Sequence, residues 1–277
     1  MLFVGMFVSI CIGYVALDQI GVPQVPHGNP RVLSALGQES TSANFLAISG
    51  AMIVSLVVGL AGLFTLGKIR VDAGVLLAAS TLIPARIAGG PMRLAYMDRP
   101  QAATLWSCAI ELFLLSIPIV IVAFVGQQLI KKGALKRDDQ HDELPPVSET
   151  VDQKFLATFC AFTTAAFLLM LFLHNDAAKQ SVLSVLFASG LASAIAFRFI
   201  PAVSGLWLFP APLLCGIIAY SVTAVMGTAN LSIGEPTGFF GSLARAAPLD
   251  YASVGVVGAV WGYWIGRSWT GQSIKVE

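Results

Sequence analysis

Residues 81–100, TLIPARIAGGPMRLAYMDRP, decide how this chain is threaded. The stretch opens too apolar for a surface loop and then carries three arginines, Arg86, Arg93 and Arg99, which is too many for an ordinary membrane span. Either the segment ending near Gly90 crosses a bilayer, or it dips in and returns to the side it came from. Everything downstream inverts between the two alternatives.

That a bilayer is involved follows from composition. Of 277 residues, 56% are hydrophobic and 11% charged, and the mean hydropathy is +0.80, far from the roughly 25% charged of a globular domain. The 16 Lys and Arg nearly balance 15 Asp and Glu, so there is no basic face for nucleic acid, and that class is excluded. Cys11, Cys108, Cys160 and Cys215 all fall in apolar runs without the short spacings of a metal knuckle, redox pair or disulfide framework, and read as small residues in packed helices.

A span needs about 20 mainly apolar residues, and eight segments qualify: 1–17, 45–66, 73–90, 102–126, 155–173, 182–200, 206–226 and 251–266. The first has no basic residue ahead of it and reads as an uncleaved anchor helix or as a chain with a slightly late start. Short cytoplasmic loops carry the excess Lys and Arg, which tests the third segment. If it spans and the N-terminus is cytoplasmic, the inside holds Lys68, Arg70, Lys131, Lys132, Lys136, Arg137, Lys154, Arg198, Arg267 and Lys275, ten in all. The outside then holds five, Arg31, Arg93, Arg99, Lys179 and Arg245, with Arg86 in the membrane. If the segment returns, the count is seven inside against nine outside. The spanning topology is favoured, and it also places Trp106 and Tyr251 near outer interfaces and Trp207, Trp264 and Trp269 near inner ones.

The expected architecture is therefore all-α, a polytopic bundle of about eight transmembrane helices with both termini cytoplasmic. An N-terminal membrane half (1–130) and a C-terminal half (155–277) are joined by a charged cytoplasmic linker (131–154). The linker, KKGALKRDDQHDELPPVSETVDQK, cannot bury a core and reads as a solvated tether or a docking segment for a cytoplasmic partner. Two outer connections are rich in turn residues: 18–44, interrupted by Pro23, Pro26 and Pro30, and 227–250, where Phe239 and Phe240 could rest on the membrane or cap the bundle. Asn230 opens a glycosylation sequon. The short matches Ile83-Pro84-Ala85 with Ile200-Pro201-Ala202 and Ile20–Pro23 with Ile233–Pro236 are too brief to establish a repeat.

Lipid tails are as apolar as leucine, so helices in a bilayer associate by close backbone packing at small residues four apart. Gly258, Gly262 and Gly266 form the clearest such stripe; Ala157, Ala161 and Ala165, Ala188, Ala192 and Ala196, and Ala51, Ser55 and Gly59 repeat the pattern. The glycine stripe would serve packing within the chain or an interface with another protein. Pro210 and Pro212 open the seventh span, where a kink or a late helix start is expected.

Ionisable residues within the spans are Arg86 and Glu111. Charge at membrane depth is costly and points to a partner or a function. Arg86 would lie roughly 6 Å below the outer end of the third span and Glu111 roughly 13 Å below the start of the fourth, so the two are a candidate intramembrane ion pair. The pair would either fix helix register or serve a transport site, with Glu111 carrying a proton or cation, or Arg86 meeting an anion. Asp98 could pair locally with Arg93 or Arg99. Catalytic signatures are missing: His27, His141 and His174 form no HExxH, Ser49 and Ser204 lack a partner base, and neither a Walker loop nor a dinucleotide fingerprint occurs. A haem between His27 and His174 would need a facing geometry that nothing in the sequence supports. No cofactor or metal is expected. The reading is a multi-pass plasma-membrane protein, a non-catalytic component or scaffold for membrane or cytoplasmic protein partners, with a small-solute or ion transporter as the alternative and an enzyme third.

Overall fold

Where water is absent, only a backbone that satisfies its own N–H and C=O groups is tolerable, and long apolar runs therefore become helices. The computed structural model describes residues 2–19, 41–66, 72–88, 101–133, 151–173, 178–200, 205–226 and 238–269, and these are helical with no strand among them. The elements are α1 (Leu2–Gln19), α2 (Thr41–Leu66), α3 (Ala73–Ser80), α4 (Ile83–Ala88), α5 (Gln101–Lys131), α6 (Val151–Phe172), α7 (Ala178–Phe199), α8 (Pro210–Val225), α9 (Gly238–Leu243), α10 (Pro248–Asp250) and α11 (Val256–Trp269). A 3-10 turn (Gly205–Trp207) precedes α8, and a π turn (Tyr251–Gly255) joins α10 to α11.

Five of these helical stretches are long and apolar enough to cross a membrane: Ile48–Leu66, Ala102–Lys131, Val151–Phe172, Lys179–Phe199 and Gly205–Val225. Leu2–Ala16 and Ala73–Arg86 are shorter apolar helices. The longest, α5, holds Pro118 in its interior, which deprives the Leu114 carbonyl of its helical donor; it closes at Gly133, whose φ of 69° only glycine adopts without steric cost. α6 starts inside the expected tether, at Val151, with Asp152 in its first turn, where a negative charge suits the helix dipole. Residues 134–150 of that tether lie outside the described residues.

The third segment is helical but broken. Pro84 has no N–H to give the Ser80 carbonyl, and Leu82 N donates back to Ala79 O at 3.1 Å, one residue short of the α pattern. The Ala78 carbonyl, which loses that donor, accepts from the Ser55 hydroxyl of α2 at 2.9 Å and from Thr81 Oγ1 at 2.7 Å. On its other side the break is covered by α1: a Cβ on Gly13 would stand 2.3 Å from the Thr81 carbonyl oxygen, so only glycine permits this approach. All residues from Asp72 to Leu82 are buried, as are all from Tyr251 to Val260 in the last segment. These two segments form the centre, wrapped by the longer helices.

Packing follows the small residues. α7 runs along α11 and α6, α2 along α3 and α5, and α5 along α8. Ala157, Ala161 and Ala165 of α6 and Ala188, Ala192 and Ala196 of α7 are buried, as are Ala51, Ser55 and Gly59 of α2. Large apolar side chains point outward instead, including Phe3 and Phe7 of α1 and Phe155 and Phe159 of α6, the distribution suited to a lipid solvent.

Of the kink or late helix start expected at Pro210 and Pro212, the structure shows the late start: Pro210 opens α8 and Pro212 stands in its first turn, where an amide donor would be unused anyway. Of the 227–250 connection, residues 238–250 are described: they hold α9 and α10, with Leu243, Ala244, Ala246, Ala247 and Leu249 buried. Phe240 packs against that core, while Phe239 is exposed and meets it edge to face at 5.1 Å.

Candidate functional site

Two buried aspartates, Asp72 and Asp250, stand at opposite ends of the central pair. Pro248 sets the first turn of α10, with Ala247 as an extended N-cap, and this brings Asp250 round to accept the Ala247 N–H at 2.8 Å, half of a capping box. The same Oδ2 accepts the Ser181 hydroxyl of α7 at 2.6 Å. Oδ1 faces Arg86 Nε at 2.5 Å, and the two side chains are 0% and 3% exposed. One carboxylate therefore ties α4, α7 and α10 together through three donors.

Two tyrosines frame this cluster. The Tyr220 hydroxyl of α8 donates to the Ala246 carbonyl, the Tyr251 hydroxyl donates to Leu243 O at 2.7 Å, and their rings meet edge to face at 6.2 Å. At the opposite end of the central pair the Trp264 indole N–H donates to Asp72 Oδ2. Asp72 is the N-cap of α3, and Arg267, one turn beyond Trp264, is buried too.

The two ends share one logic. Each central segment begins with aspartate and ends with arginine, Asp72 to Arg86 and Asp250 to Arg267, so each places its charges to complement its own dipole. Laid antiparallel, the arginine end of one meets the aspartate end of the other. Fourteen residues separate Asp72 from Arg86, and fourteen separate Asp250 from Trp264, about 21 Å at 1.5 Å per residue. The two bonds are therefore in register, one at each end of equal lengths of helix.

Among the residues singled out from sequence, Arg86 and Glu111 are both buried, Glu111 on α5 at 2% exposure. The carboxylate against Arg86 Nε is that of Asp250, 164 residues away in sequence. α5 packs on both α3 and α10, which keeps Glu111 in the same core. Gly258, Gly262 and Gly266 lie against α7, where a Cβ would stand 2.4 Å from Leu186 O, 1.8 Å from Gly190 O and 2.9 Å from Ala194 O respectively. The three contacted carbonyls are also four residues apart. Ser49 is half-buried on α2. Arg93, Asp98, Arg99, His27, His141, His174, Ser204 and Asn230 lie outside the described residues. No group of three or more metal-ligating side chains occurs among the described residues.

Asp72 and Asp250 are what sequence reasoning missed. Both flank apolar runs, and the repeated order of aspartate, apolar run and arginine is a usable signal for antiparallel pairing. Comparison with known proteins adds nothing to this geometry: no protein-family model, curated protein or solved structure matches the chain.

Proposed function

We propose that this chain is a non-catalytic, multi-pass component of the plasma membrane, crossing it eight times with both termini in the cytoplasm, and that it supports membrane or cytoplasmic protein partners. The observation that carries the reading is the use made of Asp250. Its two oxygens hold donors from two other helices, α4 and α7, besides its own N-cap amide, so the buried charge is spent on joining helices. Breaking a buried pair leaves an uncompensated charge and is costly, whereas making it adds little net stability; such a group serves to fix one arrangement of helices. The glycine stripe, closed against α7, likewise works inside the chain, leaving partners to the long apolar outer faces and the cytoplasmic linker.

A second reading, transport of a small solute or ion by way of Arg86 and Glu111, is favoured by one observation. The third segment is interrupted at Thr81–Leu82, one turn from buried Arg86, and interrupted helices beside intramembrane charge are characteristic of transporter cores. Purified protein in sealed vesicles separates the two. The scaffold reading expects no saturable flux of protons, alkali cations or small anions above protein-free vesicles. A saturable flux that Glu111→Gln abolishes, with the fold retained, would replace it by the transporter.

A further inference from the structure

The central segments are irregular at the same depth. Taking the Arg86–Asp250 and Asp72–Trp264 bonds as the register, residue 81 stands opposite 255 and residue 82 opposite 254. The break at Thr81–Leu82 thus faces the inner end of the π turn, and α3 does contact that turn. Both irregularities lie about 7 Å inward of the outer ion pair, at 1.5 Å per residue. Kinks in helices concentrate where a proline or a π turn interrupts the hydrogen-bond ladder, and here one of each occurs side by side.

Outward of this level the two segments are joined to one another by Arg86 and Asp250. Two further side-chain bonds fasten them to the long helices: Ser181 of α7 to Asp250 at 2.6 Å, and Tyr220 of α8 to the Ala246 carbonyl. Inward of it, α11 is locked to α7 by the glycine contacts and α3 to α2 by Ser55 and by Gly59, where a Cβ would stand 2.8 Å from that of Ala78. The inner halves are held by backbone-close packing along their length; the outer ends are buried in the same core and carry replaceable side-chain hydrogen bonds in addition.

We propose that the facing irregularities form one paired hinge, about which residues 83–86 and 244–250 move together as a cap, latched to the surrounding bundle by Ser181 and Tyr220. The ion pair transmits motion from one segment to the other. The device is independent of whether the chain supports partners or carries a solute.

Amide hydrogen exchange of the full chain in lipid nanodiscs, read by mass spectrometry, tests it. In the wild type, 83–86 and 244–255 should exchange together and faster than 73–80 and 256–267. Ser181→Ala combined with Tyr220→Phe should speed both outer stretches by about fivefold for each hydrogen bond lost, leaving the inner ones unchanged. Pro84→Ala, which restores a donor to the Ser80 carbonyl and removes only two buried ring carbons, should slow its own segment and also 251–255 by a similar factor. Pro84→Ala confined in effect to its own segment would overturn the paired hinge, as would acceleration of inner and outer stretches alike in the latch variant. Should the latch variant fail to fold, the Pro84→Ala result decides by itself.

Discussion

Replacing Arg86 and Asp250 singly and together measures what the outer clamp contributes. Asp250→Ala removes the acceptor of Arg86 Nε, the Ser181 hydroxyl and the Ala247 N–H, and takes the Asp250 carboxylate away from a buried guanidinium. Arg86→Ala leaves Asp250, fully buried, with two neutral donors against its charge. Each change should cost about 3–5 kcal/mol, the range for breaking a buried pair by removal of one partner. Once one charge has gone, removing the other relieves a desolvated ion as well as losing contacts. The double variant should therefore fall about 2–3 kcal/mol short of the sum of the singles, within the coupling range of contacting residues. Arg86→Met with Asp250→Leu should come closer still to wild type, since apolar replacements of similar volume are often neutral. The assay is reversible unfolding in mixed micelles, following tryptophan fluorescence of all four members of the cycle. Additive singles would refute the clamp, and so would a neutral or stabilising Asp250→Ala, which would mark the carboxylate as held there at the expense of the fold.

The glycine contacts predict an order: alanine should destabilise most at Gly262, less at Gly258 and least at Gly266, following Cβ clearances of 1.8, 2.4 and 2.9 Å. The first should cost roughly 1–3 kcal/mol or more, as for overpacked cores, and equal effects at all three in the same unfolding assay would contradict the packing. Trp264→Phe keeps most of the ring but removes the donor to Asp72, with an expected loss of about 1–3 kcal/mol for a buried acceptor deprived of its partner; Asp72→Asn should reduce that loss. Impermeant thiol labelling of single cysteines added at the two ends, in a cysteine-free background in intact cells, should leave both unlabelled until the cells are opened. Labelling of one end alone would require an odd number of crossings.

Much of the helical content was legible because it depends on local composition. Five apolar runs long enough to span are helices, since apolar length and intrahelical hydrogen bonding are properties of contiguous residues. The small residues four apart in α6 and α7 could be read as buried faces for the same reason. The prolines of α8 left two outcomes open in the sequence: proline forbids an amide donor, and whether that yields a kink or, as here, a helix start depends on where the preceding turn lies.

By itself, then, the sequence determined that this is an apolar, all-helical chain with helices able to cross a membrane, and it drew attention to Arg86 and Glu111 as charges that needed an explanation. Only the tertiary structure decided that the carboxylate against Arg86 comes from Asp250, that the third segment is interrupted at Thr81–Leu82, and that Gly258, Gly262 and Gly266 face Leu186, Gly190 and Ala194. Secondary structure in a low-dielectric setting is fixed by bonds between residues four apart, which the chain order displays. A buried charge is neutralised by whichever opposite charge the fold brings within about 4 Å, and 164 residues of intervening chain carry no record of that meeting.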